Sequence, residues 1–176
     1  QAPSFSRDGQ WLYFTSNRTG RWEIWRRAWP DGEAQQLTTE GGFAALESRD
    51  GDSLYFVRPD RNGLWKRARE PGGDEVLVTP ELAAADWANW HVTEDGVYFV
   101  ADWGSGKVWG MKQTDGKWAM QEMLDLADGL RPTGSGIGPD GSIYLTHATA
   151  NYGGPVDPYT SERGAVWKIV PTSKVA

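Results

Sequence analysis

Short apolar runs rich in aromatic residues alternate along the chain with polar, glycine-containing breaks. Four of these runs follow an Asp-Gly pair, and the glycines of the pairs are Gly9, Gly51, Gly96 and Gly141. After the next break comes a second run built on a tryptophan: WEIWRRA, GLWKRA, KVWGMK or AVWKIV. A third run, AQQLTT, DEVLVT or WAMQEML, ends the first three units. Aromatic and β-branched runs of this length, bounded by turn residues, predict strands and no helix.

The spacing of the four Asp-Gly pairs predicts the architecture. The glycines are 42, 45 and 45 residues apart, and a period in the low forties with about four strands per unit indicates β-propeller blades. We predict an all-β fold, a single β-propeller domain over 1–176 with four four-stranded antiparallel blades at about 2–41, 42–88, 89–129 and 130–176. The Asp-Gly pairs are expected to form two-residue turns with positive φ at both positions. Four equivalent tryptophans are expected to pack between blades: Trp25, Trp65, Trp109 and Trp167.

Four blades are compatible with two assemblies. Propellers typically have 4–8 blades, so four blades close a small ring or form a half ring. A half ring would expose two apolar blade faces and would pair with a second copy into an eight-bladed homodimer. We favour this self-association.

Composition narrows the classes of function. The net charge of −6 argues against nucleic-acid binding, which needs clustered Lys and Arg. No run approaches the roughly 18 consecutive apolar residues of a membrane-spanning helix, so we expect no membrane insertion. The absence of cysteine excludes disulfides, thiolate metal sites and cysteine nucleophiles. The two histidines lack ligand-spaced neighbours, so we predict neither a metal site nor catalytic residues.

Residues 3–39 read PSFSRDGQWLYFTSNRTGRWEIWRRAWPDGEAQQLTT. They give a Ser-x-Asp-Gly opening, an apolar strand, a Ser-x-Arg-x-Gly turn, a Glu-Ile-Trp strand and a closing Leu-Thr. This segment resembles the TolB-type repeat, also called the WD40-like or PD40 repeat, although Arg7 stands where that family prefers proline. The resemblance extends over residues 1–98. It implies blades used for protein–protein contact or sensing, without catalytic residues, and it favours the bacterial periplasm or the extracellular space.

The second half has different motifs, VYFVADWGSGKVWGM at 97–111 and DLADGLRPTGSGIGPDGSIYLTH at 125–147. Residues 99–176 are similar to blades of quinoprotein sugar dehydrogenases and NHL-like propellers. This resemblance implies an alternative function, a remnant or subunit of a quinone-dependent sugar dehydrogenase. The cofactor-holding His and Arg of that family lie on blades that this chain lacks, so we predict no cofactor. The change of motif has two interpretations: divergence and recombination of blades, or a natural or designed chimera of two propellers.

The candidate binding residues lie on the face that carries the links between blades. Blade four has an insertion there, ATANYGGPVDPYTSERG at 148–164, and insertions in repeats often map to the binding face. Its candidates are Tyr152, Asp157, Tyr159, Glu162 and Arg163. A neighbouring segment, ADWANWHVT, adds Trp87, Trp90 and His91. The alternative for the insertion is a loop without a ligand or a contact to another subunit. The alternative for the neighbouring segment is that Trp87 and Trp90 pack between blades and His91 is a polar strand residue. The sequence thus predicts a non-catalytic scaffold or protein-interaction module that binds itself, or a peptide or protein on this face.

Overall fold

The structure is a computed structural model that describes residues 1–80, 90–92, 98–102, 106–115, 117–125, 130–138, 142–149 and 166–169. The regular elements among these residues are strands, and no helix occurs among them. The strands of the first half are β1 (Ser4–Phe5), β2 (Trp11–Ser16), β3 (Glu23–Ala28), β4 (Gln35–Gln36), β5 (Phe43–Glu47), β6 (Ser53–Arg58), β7 (Arg61–Ala68) and β8 (Glu75–Thr79). Those of the second half are β9 (Trp90–Val92), β10 (Tyr98–Asp102), β11 (Lys107–Thr114), β12 (Lys117–Asp125), β13 (Leu130–Ile137), β14 (Ile143–Thr149) and β15 (Val166–Ile169).

The strands form antiparallel sheets of consecutive neighbours. Three sheets have four strands, in the orders β1-β2-β3-β4, β5-β6-β7-β8 and β12-β11-β10-β9, and the described part of the fourth is β13-β14-β15. The predicted all-β fold of antiparallel four-stranded units is therefore confirmed. The chain divides into two compact units, Gln1–Ala88 and Asn89–Ala176, each with two sheets. A single domain over 1–176, the blade boundaries, the half ring and the homodimer remain predictions.

The strand register shows that the four tryptophan runs are equivalent. Each tryptophan lies on the third strand of its sheet, directly opposite an apolar residue of the second strand. The pairs are Trp25 with Phe14, Trp65 with Phe56, Trp109 with Val100, and Trp167 with Leu145. The register thus allows residues of different blades to be compared position by position. That the tryptophans pack between blades stays a prediction.

The Asp-Gly segments of the first two blades differ from the predicted two-residue turn. Gly9 has a φ of 69°, whereas Asp8 is not among the residues with positive φ, so the prediction of positive φ at both positions is wrong here. The amide of Gly9 donates to the carbonyl oxygen of Ser6 at 2.9 Å. The Asp8 carboxylate accepts from the Ser6 hydroxyl and the Gln10 amide at 2.5 and 2.9 Å. The aspartate therefore serves as a side-chain acceptor, which the two-residue turn did not require.

Blade two repeats this turn atom for atom. Asp50 accepts from the Ser48 hydroxyl at 2.5 Å and from the Asp52 amide at 3.1 Å. Gly51, with a φ of 79°, donates to the Ser48 carbonyl oxygen at 3.1 Å. The Asp-Gly pairs of blades three and four lie outside the described residues.

The core of the first unit lies between its two sheets. Its buried residues come from both blades: Tyr13, Ile24 and Leu37 from blade one, and Ala45, Leu54 and Phe56 from blade two. Trp11 and Trp65 pack against this cluster. Burial of large apolar side chains at about 1.5–3 kcal/mol each is the main stabilising contribution that such a junction offers.

Glu23 fixes the link that leads from blade one into blade two. Its buried carboxylate accepts from the Thr38 hydroxyl at 2.6 Å and from the Gly41 amide at 3.1 Å. The Thr38 hydroxyl oxygen in turn accepts from the Ile24 amide at 2.9 Å. The Glu-Ile-Trp and Leu-Thr segments of the repeat therefore meet at one hydrogen-bonded site.

The second unit has its own, smaller core. Val108 of β11 packs with Ile143 and Leu145 of β14, and Leu124 and Ile169 lie against them. Because Ile143 and Leu145 alternate with Tyr144 along β14, Tyr144 points to the opposite side of the sheet.

Candidate protein-interaction surface

The structure describes two of the predicted binding residues. Trp90 is fully buried in β9. The Nε2 atom of His91 lies 2.7 Å from the carbonyl oxygen of Ser135 on β13. Trp90 is therefore enclosed by protein, and His91 contacts another strand of the second unit. The role of both residues in binding stays a prediction. The other candidates lie outside the described residues: Trp87, Tyr152, Asp157, Tyr159, Glu162 and Arg163.

Blade one carries an exposed aromatic pair that was not predicted from the sequence. The rings of Phe5 and Trp29 meet edge to face, with centroids 5.1 Å apart and an interplanar angle of 88°. Each side chain is 52% exposed. The hydrogen bond from the Trp29 amide to the carbonyl oxygen of Gln10, at 2.8 Å, holds the turn after β3 beside the Asp-Gly turn.

The pair belongs to a larger apolar surface. Phe5 lies opposite Leu12, and Phe14 lies opposite Trp25. Because side chains alternate along β2, Leu12 and Phe14 share one side of the sheet. We call this surface the start face; its residues are Phe5, Leu12, Phe14, Trp25 and Trp29.

The other side of the same sheet is covered by blade two within the first unit. Residues on this side are Tyr13, Thr15, Ile24 and Arg26, and each is at most 4% exposed. We call them the closed face. The two sides of blade one thus differ: one carries the junction core, and the other carries the half-exposed Phe5 and Trp29 beside the partly buried Leu12 and Phe14 and the buried Trp25.

Blade two shows what lies at the start-face positions when a blade covers them. Leu54 and Phe56, the counterparts of Leu12 and Phe14, are completely buried. Arg58 stacks on Trp65, with 3.8 Å from its guanidinium carbon to the ring centroid, and is 2% exposed. Blade one has a similar stack, in which the exposed Arg18 lies 4.5 Å from the ring centroid of the buried Trp25.

The aromatic pair replaces an ion pair of blade two. Glu47 precedes Ser48 as Phe5 precedes Ser6, and Arg69 follows Ala68 as Trp29 follows Ala28. The amide of Arg69 donates to the carbonyl oxygen of Asp52 at 2.9 Å, as the Trp29 amide does in blade one. Glu47 and Arg69 approach to 3.6 Å. A charged pair at the junction therefore corresponds to an exposed aromatic pair on the start face.

Glu47 binds blade one through several donors. The Tyr13 hydroxyl donates to its Oε1 atom at 2.9 Å, and the Arg7 amide donates to its Oε2 atom at 2.6 Å. Burial, together with this hydrogen bond and the negative charge of Glu47, raises the pKa of Tyr13. The junction thus keeps the tyrosine neutral and the carboxylate paired, as buried polar groups require.

The turn carboxylates have the opposite shift. The hydrogen bond from the Ser6 hydroxyl, assisted by the Gln10 amide, lowers the pKa of Asp8. The Ser48 hydroxyl and the Asp52 amide lower the pKa of Asp50 in the same way. Hydrogen bonds to the ionised form favour it, so these shifts are explained by turn structure and do not indicate catalysis.

Comparisons with known proteins identify the fold. No family model matches the chain. An uncharacterised protein of Agrobacterium fabrum is 37% identical over 60 residues, 33% of this chain and 20% of that protein. The putative TolB of Agrobacterium tumefaciens has a TM-score of 0.65 at 18% identity, over 96% of this chain and 57% of that chain. A gluconolactonase of Xanthomonas campestris has a TM-score of 0.62 at 12% identity, over 81% of this chain and 53% of that chain.

The fold is that of a β-propeller. Its repeats resemble those of TolB- and NHL-type propellers, as the sequence predicted. The chain spans a fifth of the curated relative it matches and just over half of these two solved structures. At such identities the likeness establishes the fold of this propeller alone.

Two further observations concern the described part of the propeller. Its residues contain no group of three or more His, Asp and Glu side chains placed to hold a metal ion. No helix long and apolar enough to cross a membrane occurs in these ranges.

Proposed function

We propose that this β-propeller is a non-catalytic scaffold that binds a protein partner through the start face. The observation that carries the proposal is the exposed Phe5–Trp29 pair at the place where blade two has the ion pair between the buried Glu47 and the partly exposed Arg69. Exposure of an aromatic pair to water does not stabilise the folded chain, whereas burial of the pair by a partner contributes strongly to the free energy of binding.

The surroundings of the pair define the partner. Leu12 and Phe14 are half-buried beside it, so the partner must offer apolar side chains of matching shape. The ring of Trp29 also offers a π face to a cation. We therefore infer a protein surface with aliphatic or aromatic side chains and an accompanying Lys or Arg.

The fold leaves catalysis open, because the similar structures include both a gluconolactonase and TolB proteins. The proposal therefore rests on the start face and on the TolB-type repeat of the first half, which implies protein contact. The quinone-dependent dehydrogenase alternative has no comparable support from a described side chain.

Selection of displayed random peptides on the full chain tests the proposal. We expect the selected peptides to carry apolar anchors with a basic residue, and to lose at least tenfold in affinity towards a Phe5→Ser/Trp29→Ser variant. Val76→Ser is the matched control, since Val76 is 59% exposed on the edge strand β8, outside the start face. Peptides that bind the double variant as well as the wild-type chain would contradict the proposal.

A further inference from the structure

The second unit carries an open sheet face that repeats the closed face of blade one. On β14 and β15, Tyr144 lies opposite Lys168, and Thr146 lies opposite Val166. We call these four residues the end face. Val166 is 66% exposed, Thr146 and Lys168 are exposed, and Tyr144 is half-buried.

The register equates the end face with the closed face residue by residue. Leu145 pairs with Trp167 as Phe14 pairs with Trp25, so the flanking positions correspond as well. Tyr144 corresponds to Tyr13, Thr146 to Thr15, Val166 to Ile24, and Lys168 to Arg26. The end face thus repeats the set of a tyrosine, a threonine, an aliphatic residue and a cation that covers Leu54 and Phe56 in the first unit.

We propose that the end face of one copy of this chain docks on the start face of a second copy. This inference rests on the proposed function and names the partner. The closed junction of the first unit is its template: Tyr13 and Ile24 pack there with Leu54 and Phe56. The start face supplies Leu12 and Phe14 at the positions of Leu54 and Phe56, and the end face supplies the covering residues.

The cation of the closed face has a counterpart on the end face, and the contacts of the two can be compared. At the closed junction, Arg26 donates to the carbonyl oxygen of Arg69 and to the carboxylate of Glu70, at 3.1 and 2.9 Å. The start face has Trp29 and Pro30 at the positions of Arg69 and Glu70. Lys168 therefore meets the π face of Trp29 in place of a carboxylate, a favourable contact for a cation.

The backbone beside the start face has the same conformation at Ala2 as the covered backbone of blade two has at Ala44. At the closed junction, the amide of Ala44 donates to the Thr15 hydroxyl at 3.1 Å. Ala44 and its counterpart Ala2 both have positive φ, 55° and 43°, a conformation that is uncommon for alanine. The end face carries Thr146 at the position of Thr15. In the proposed contact, the hydroxyl of Thr146 from the second copy can accept a hydrogen bond from the amide of Ala2, as the Thr15 hydroxyl accepts from the amide of Ala44.

The experiment measures molar mass by light scattering on the full chain and on two variants. Trp29→Glu places a charge on the start face, and Val166→Glu places one on the end face. We expect wild-type chains to associate to about twice the 19.5 kDa of one chain, or to a larger head-to-tail series. Each variant alone should weaken association at least tenfold, whereas Val76→Glu on β8 should not.

Mixing the two variants is the decisive step. The Trp29→Glu chain keeps its end face and the Val166→Glu chain keeps its start face, so an equimolar mixture should recover a one-to-one complex. If start faces paired with each other, Val166→Glu would have no effect, and the mixture would contain paired Val166→Glu chains but no complex between the two variants. That result would overturn the inference. Phe5→Glu and Lys168→Glu provide a second pair if either variant shows a changed near-ultraviolet circular dichroism spectrum.

Tyr144→Phe adds a check on the contact geometry. Phe5 offers no hydrogen-bond acceptor where Glu47 offers one to Tyr13, so Tyr144→Phe should leave association unchanged. A tenfold loss would contradict the proposed pairing. A monomeric wild-type chain that still binds selected peptides through Trp29 would overturn the second copy as partner and leave the proposed function standing. Loss of both would overturn both.

Discussion

Replacing Tyr13 by Phe removes one hydroxyl from the junction between blades one and two. The hydroxyl is completely buried and donates to Glu47 Oε1 at 2.9 Å. The phenyl ring keeps its packing with Ile24 and Leu54, so the change isolates the hydrogen bond. Glu47 retains the Arg7 amide at 2.6 Å, and the buried carboxylate therefore loses one partner out of several.

The expected cost follows from the kind of bond that is lost. A hydrogen bond to a charged group contributes about 1.5–3 kcal/mol, which corresponds to a decrease of about 10- to 150-fold in the folding equilibrium constant. For a chain of this length such a loss lowers Tm by about 3–12 °C. Arg7 and Arg69 continue to bind the carboxylate, so values towards the lower end are expected.

A double-mutant cycle separates this bond from other effects. Urea unfolding followed by tryptophan fluorescence gives the free energies of unfolding of the wild-type chain, Tyr13→Phe, Glu47→Ala and the double variant. We expect a coupling free energy of at least about 1 kcal/mol, as for residues that share one hydrogen-bond network. A coupling below about 0.3 kcal/mol, the scatter of independent sites, would refute the reasoning.

The same substitution changes the dependence on pH. The pKa of Tyr13 is raised in the folded chain, chiefly by burial, so the unfolded chain loses this proton first as pH rises. Stability is therefore complete below the unfolded pKa of about 10 and falls above it. Tyr13→Phe should lack this part of the alkaline loss. Parallel wild-type and variant curves above about pH 10 would contradict the assignment.

Three other outcomes are expected. The pKa values of Asp8 and Asp50 are lowered in the folded chain, so the stability that these carboxylates contribute is lost as pH falls below about 4. The urea midpoint of the Asp8→Asn/Asp50→Asn variant should therefore fall less on acidification than that of the wild-type chain. An equal fall would contradict this. Gly42→Ala should destabilise by about 1–3 kcal/mol in urea unfolding, since its Cβ would lie 2.7 Å from Ile24, whereas Gly136→Ala, with open space, should be near neutral. With pyrroloquinoline quinone, Ca²⁺ and an aldose, dye reduction should not exceed the protein-free rate; turnover would instead favour the dehydrogenase alternative.

Repeats and turns made the fold predictable from the sequence. The Asp-Gly spacing and the tryptophan runs specify strand order because strands within a blade are neighbours in the chain. The turn itself was predicted wrongly, since an Asp-Gly pair also suits a turn in which Asp8 accepts hydrogen bonds through its side chain. A serine two residues before each aspartate, Ser6 or Ser48, was the available signal.

The start face was less predictable. Phe5 and Trp29 are apolar residues of the kind that usually lies in a core, so neither attracts notice in the sequence. The available signal was a comparison of the two blades, in which Glu47 corresponds to Phe5 and Arg69 corresponds to Trp29. These correspondences become clear only from the strand register of the structure. The binding residues predicted from the irregular loops fall mostly outside the described residues. Of the two that are described, Trp90 is buried and His91 contacts Ser135.

The hydrogen bonding of the Asp-Gly turns has a consequence for how this chain ages. Aspartate followed by glycine is the sequence at which peptides rearrange, because the glycine nitrogen attacks the aspartate side chain to form a succinimide. In the folded protein the Gly9 amide is committed to the Ser6 carbonyl oxygen, and the Asp8 carboxylate is held by Ser6 and Gln10. The bonds that shape the turn thus also hold the reacting atoms back. The amount of isoaspartate at this site should therefore increase with the time that the first blade has spent unfolded.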